Sequence, residues 1–203
     1  MALTRLSIIN HQKNNYAELA GMPLEILLLD ASSITDLAPL AQLKLKMLDL
    51  RATKVSDLSS LRGMPIDHAL LSGMKQVTDF SVVASWPLGT EFQAADTAFS
   101  DLRLLAGKPV EYVNVQETPV SDLSPLRGSK VRALYIARTK VMDLSPLKDM
   151  PELNEVTIPK QAANIDILRS LPNLRYIGTE SVLAGHSPPP AAEFWKEYDA
   201  KKK

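Results

Sequence analysis

The 203-residue chain carries 23 Lys and Arg against 23 Asp and Glu, so its overall charge offers neither a basic field for nucleic acid nor an acidic excess for a cationic partner. It contains no cysteine, which excludes disulfides, thiolate metal sites and cysteine nucleophiles. No apolar run approaches the length of a membrane span, so neither nucleic acid nor a membrane is the expected partner.

In chain order, Met1 to Ile9 lacks the charged lead and long apolar core of a signal peptide and instead spells Leu3-x-x-Leu6-x-Ile8, the alternation of a half-buried strand. With no such leader and no cysteine, a cytoplasmic setting is favoured. An Asn-containing return through Asn10, Asn14 and Asn15 leads to Tyr16 and Leu19. It is expected to act as its own lid unless the array continues upstream.

From there a single grammar recurs. Ile34-Thr35-Asp36-Leu37-Ala38-Pro39-Leu40 returns as Val55 to Leu61, Val120 to Leu126 and Val141 to Leu147, with looser copies at Val77 to Val83 and Phe99 to Leu105. The aspartates fall at 36, 57, 79, 101, 122 and 143, 21 or 22 residues apart by subtraction, which is the period of a solenoid. Upstream of each Asp lies a strand element, cleanest as Val110-x-x-Val113-x-Val115-x-x-Thr118-x-Val120 and Val131-x-x-Leu134-x-Ile136-x-x-Thr139-x-Val141.

This is the leucine-rich repeat pattern: one short strand and one return segment per unit, the strands stacking in parallel because no unit can bury its own apolar face. The expected fold is an α/β leucine-rich repeat solenoid of about eight units, a curved parallel sheet with short 3-10 or helical turns on its convex side. Ser32, Thr53, Thr118 and Thr139 stand where the usual pattern has Asn, so hydroxyls are expected to satisfy the backbone after each strand. Each aspartate precedes a short helical turn and is expected to accept backbone N–H groups there rather than bind metal, because no loop gathers the several oxygens calcium needs.

The third and fourth units, around Ile66 to Val77 and Leu88 to Phe99, each carry one extra residue. There Phe80, Trp86, Phe92 and Phe99 are expected to refill core volume lost at Ala94, Ala95 and Ala98. Asn164 to Leu171 has room for a true helical turn. The domain reading is a repeat array over 1–178, a Pro-containing linker over 179–190 and a short C-terminal helix over 191–203, whose Phe194, Trp195 and Tyr198 are expected to dock on the open end of the array.

Segments such as Thr118-Pro119-Val120-Ser121-Asp122-Leu123-Ser124-Pro125-Leu126-Arg127-Gly128 resemble the internalin-type class of bacterial leucine-rich repeats. With the Gly21-Met22-Pro23 and Gly63-Met64-Pro65 joints and the closing Pro190 to Tyr198, the chain also resembles the C-terminal arrays of serine/threonine protein kinases of planctomycete-like and verrucomicrobial bacteria. Kinase chemistry needs a Gly-rich loop, a strand Lys, a His-Arg-Asp catalytic loop and an Asp-Phe-Gly, none of which the sequence contains. His11, His68 and His186 belong to no recognisable catalytic motif. No enzymatic activity, cofactor or metal is therefore expected.

The expected function is a monomeric, non-enzymatic scaffold that binds a protein partner through the concave face of its sheet. From the repeat register, the outward residues are Asp30, Asp49, Arg51, Tyr112, Asn114, Gln116, Tyr135, Arg138 and Glu155, and contact is expected to centre on the fifth and sixth units. The alternatives are the C-terminal repeat portion of a kinase, a structural spacer without a partner, and a polymer binder. Trp86 and Trp195 lie off the expected concave strands, which weakens the last.

Overall fold

A computed structural model describes residues 3–183 and 186–202. The chain divides into two compact units, Met1–Phe99 and Ser100–Lys203.

The first unit carries five three-residue strands, β1 (Arg5–Ser7), β2 (Ile26–Leu28), β3 (Met47–Asp49), β4 (His68–Leu70) and β5 (Glu91–Gln93). They pair in parallel and in chain order, with Leu6, Leu27, Leu48, Ala69 and Phe92 in one register. From β2 onward these middle residues are sealed in the core, whereas Leu6 is half-buried and Leu3 and Ile9 are exposed beside it. The second unit repeats the arrangement with β6 (Tyr112–Asn114), β7 (Ala133–Tyr135), β8 (Glu155–Thr157) and β9 (Tyr176–Gly178), and Val113, Leu134, Val156 and Ile177 share its buried register. Strands this short cannot persist alone; each is held by ladder bonds to its neighbours and by the core beneath.

Every return is a 3-10 segment, such as Ala38–Leu40 in the first unit and Ser124–Leu126 in the second. The aspartate column builds them. Asp36, Asp57 and Asp79 accept the backbone N–H two residues on at 2.8–2.9 Å, and Asp101, Asp122 and Asp143 do the same. Asn15 performs this role for the first return, accepting from Ala17 N at 2.7 Å, a cap that lies outside the aspartate column. The expected helical turn at 164–171 is also a 3-10 segment, Ile165–Ser170, opened by Asn164 in the left-handed region. It packs against the 3-10 segment Ser145–Asp149 of the preceding return.

After each strand, Thr53, Thr97, Thr118 and Thr139 donate to the carbonyl three residues back, at 2.6–2.8 Å. The Ser32 hydroxyl, expected to do likewise, is buried without a partner. The two surplus residues both fall between β4 and β5, since Ala69 and Phe92 stand 92 − 69 = 23 apart in register. Gly89 marks one of them: its N–H donates to Asp67 at 2.9 Å, and a Cβ there would run into the same carboxylate. Phe92 and Phe99 pack 5.1 Å apart, Phe80 meets Phe99 edge-on at 5.5 Å, and the Trp86 indole donates to Leu61 O at 2.9 Å. These aromatics fill the volume the neighbouring alanines leave.

Past β9, the chain lies against the second unit at two places. Val182 exchanges two hydrogen bonds with the Gln116 amide, and Ile177 N donates to Pro189 O at 3.0 Å, so the proline run shields the last strand edge. Helix α1 (Ala191–Lys201) follows, with Arg169 stacked 3.9 Å over Trp195 and bonded to Asp199 at 2.6 Å. Proline is well suited to this edge because it has no N–H left to satisfy.

Candidate functional site

Because a strand shows alternate faces, the first and third residues of each three-residue strand point away from the core and the middle one points in. The nine residues expected on the outward face therefore separate by what they do there.

In the first unit, Asp49 is 3% exposed; its carboxylate accepts from Arg51 N at 3.1 Å and takes the Arg51 guanidinium at 2.9 and 2.6 Å. This hydrogen-bonded pairing raises the Arg51 pKa against the opposing effect of burial, with help from the Asp30 and Glu91 charges. Asp30 is half-buried. Sequence reasoning missed the larger part of this cluster, in which Glu91 pairs with His68 and accepts from Gln93. Burial would push the Glu91 carboxyl up, but the His68 and Gln93 hydrogen bonds outweigh it and leave it below its ordinary range. The signal was available, since His68 and Glu91 occupy the same repeat position on adjacent strands.

In the second unit, Tyr112 and Tyr135 come together as the register requires, with ring centroids 5.1 Å apart. Tyr112 is half-buried, while Tyr135 is only 2% exposed and donates its hydroxyl to Glu155 at 2.6 Å. Burial, followed by the bond to Glu155, drives the Tyr135 pKa far upward, so the phenol stays protonated as a donor.

The side chains at the other positions have partners within the chain. Asn114 is buried and turned to brace Gln116 N at 3.2 Å, the same strand-exit role as Asp49. The Gln116 amide, expected to flank the tyrosines with donors, is bonded to Val182 at 2.7 and 3.0 Å. Arg138 is not on the strand: it occupies a left-handed turn position, φ 57°, facing Glu117 at 3.5 Å and Glu180 at 3.6 Å. The exit column of Ala31, Ala52, Glu117 and Arg138 shares this backbone state, which short-range apolar periodicity does not report.

No cluster of His, Cys, Asp or Glu suited to a metal occurs among the described residues. Nor is any described helix long and apolar enough to cross a membrane.

The parallel strands, 3-10 returns, capping aspartates and hydroxyl column define a leucine-rich repeat solenoid. Its build is internalin-like. An internalin (inlF) from Listeria monocytogenes matches over 87% of this chain with 24% identity and a TM-score of 0.76. The chain covers 54% of that protein's length. An internalin C2 (inlC2) from the same organism matches over 86% of this chain and 79% of its own, with 28% identity and a TM-score of 0.76. The functional domain of InlJ, also from Listeria monocytogenes, is similar over 89% of this chain and 46% of its own, with 15% identity and a TM-score of 0.59. That InlJ domain includes a cysteine ladder, whereas this chain has no cysteine. No protein-family model and no curated protein match the chain.

Proposed function

We propose that the chain is a non-enzymatic scaffold that binds a protein partner on the outward face of its second unit. The observation that carries this reading is the Tyr112, Tyr135 and Glu155 cluster: the half-buried Tyr112 ring is backed at 5.1 Å by the buried Tyr135, whose hydroxyl donates to the Glu155 carboxylate. Hot spots favour such fixed aromatics because little side-chain entropy is lost when they are covered. Arg132 and Glu111, 3.7 Å apart, supply a polar rim. Similarity to two internalins supports the scaffold reading, and this chain contributes no kinase motif of its own.

The test is affinity capture followed by measurement of the captured partner with a Tyr112→Ala, Tyr135→Ala double variant. Binding is expected to weaken by at least about 2 kcal/mol while the variant keeps a cooperative melt. Undiminished binding would move the site off this face.

A further inference from the structure

The register places Tyr112, Ala133 and Glu155 side by side as the first outward residues of β6, β7 and β8. Tyr176 completes this column, so Ala133 is its one position where the side chain stops at Cβ. A groove of about 260 Å³ opens above it, with Tyr112 and Glu155 as its walls and Glu111, Arg132 and Asn154 along its rim.

The charges around this groove do not cancel. Glu111 and Arg132 face one another at 3.7 Å, which leaves Glu155 as the unbalanced carboxylate. It accepts from the neutral Tyr135 hydroxyl, and among the described residues no cationic side chain pairs with it. Glu117 and Glu180, by contrast, each face Arg138. A half-buried carboxylate without a cation, one small-residue gap away from an aromatic ring, matches the guanidinium group. Such a plane lies against a tyrosine face and donates in a fork to a carboxylate at the same time. An acidic group would meet Glu155 and Glu111 and find only an already engaged Arg132. An apolar one would strip water from Glu155 and return no hydrogen bond.

We propose that the groove over Ala133 is a socket for an arginine side chain presented by the partner protein, with Glu155 as its counter-ion and Tyr112 as its stacking wall. This inference rests on the protein-binding reading and names the chemistry that the same face selects.

The experiment titrates the folded chain with N-acetylarginine amide and, separately, with its neutral isostere N-acetylcitrulline amide, following backbone amide signals by NMR. The arginine probe is expected to give saturable shifts centred on Tyr112, Ala133 and Glu155, and the citrulline probe to bind about tenfold more weakly or worse. Glu155→Gln should bring the arginine affinity down to that of citrulline. Ala133→Leu, which fills the groove from a solvent-facing position, should abolish the shifts with an unchanged melting temperature. Equal binding of the two probes, arginine shifts that survive Ala133→Leu, or no saturable shift at all would each overturn the socket. A captured partner that still depends on the Tyr112 and Tyr135 pair would then leave the protein-binding reading standing, so the two failures are distinguishable.

Discussion

Asp122 shows how one residue type, repeated, builds the returns of this chain. Its carboxylate accepts Ser124 N at 2.8 Å, in a geometry shared with the other five members of the column. Replacing it by Ala orphans that N–H, and Asp122→Ala is expected to lower unfolding free energy by about 0.5–2 kcal/mol in denaturant titration. Added calcium should leave the melting temperature of both proteins unchanged, because the oxygen cage that calcium requires is absent from the turn. Asn15 already shows that the neutral amide serves as a cap, so Asp122→Asn should retain most of the stability.

At the scale of the element, the core strands and the C-terminal helix should respond very differently. Leu134 is the middle residue of β7, fully buried between Val113 and Val156. Leu134→Ala removes apolar area and leaves a cavity that adjacent repeats cannot close, and it is expected to cost about 2–5 kcal/mol. Helix α1 has no fully buried residue; beside the Ala191 N–H bond to Arg175 O and the half-buried Phe194, Trp195 and Tyr198, it is held by the Arg169 stack on Trp195, the Arg169 bond to Asp199 and the Lys202 bond to Asp166. Exposed contacts of this kind contribute little singly, and Arg169→Ala removes two of them together, for an expected loss of about 1–2 kcal/mol. Hydrogen exchange should show the loss at α1 and β9 while β6 to β8 stay protected. Uniform deprotection of the second unit would mean that the helix holds more than its own end.

At the scale of the whole chain, the aspartate column makes stability depend on acid. Asp57, Asp79 and Asp122 are held below the usual carboxylate range chiefly by the backbone N–H groups of Ser59, Ser81 and Ser124. For Asp101 the main cause is the Arg103 guanidinium, and for Asp143 it is the Ser145 side chain. A folded pKa below the unfolded one means that the unfolded chain binds protons first. The contribution is therefore complete above the unfolded aspartate value of about 3.9 and disappears as pH falls through the lower folded values. The melting temperature is expected to hold from pH 7 to about pH 4 and then fall as pH drops through the folded values. A variant with all five changed to Asn should keep its caps and show a flatter acid limb; an equally steep fall would place the acid sensitivity elsewhere.

The leucine-rich repeat fold was legible in the sequence because it depends on short-range regularities. A period of 21 or 22 residues, strand alternation and a capping Asp at fixed offset each act within one unit, and stacking multiplies them. The same register predicts that Tyr112 and Tyr135 meet, and their rings lie 5.1 Å apart. What the local pattern did not reveal was which outward side chains are already engaged. Asp49 and Asn114 brace the backbone at their own strand exits, and Gln116 is claimed by Val182, 66 residues later in the chain. The groove over Ala133 likewise exists only by contrast with Tyr112 and Glu155 on adjacent strands. Repeat grammar fixes which way a side chain points, because that is set by backbone geometry within a few residues. Only the tertiary structure decides what it meets, because those partners arrive from other repeats and from the returning C-terminal segment.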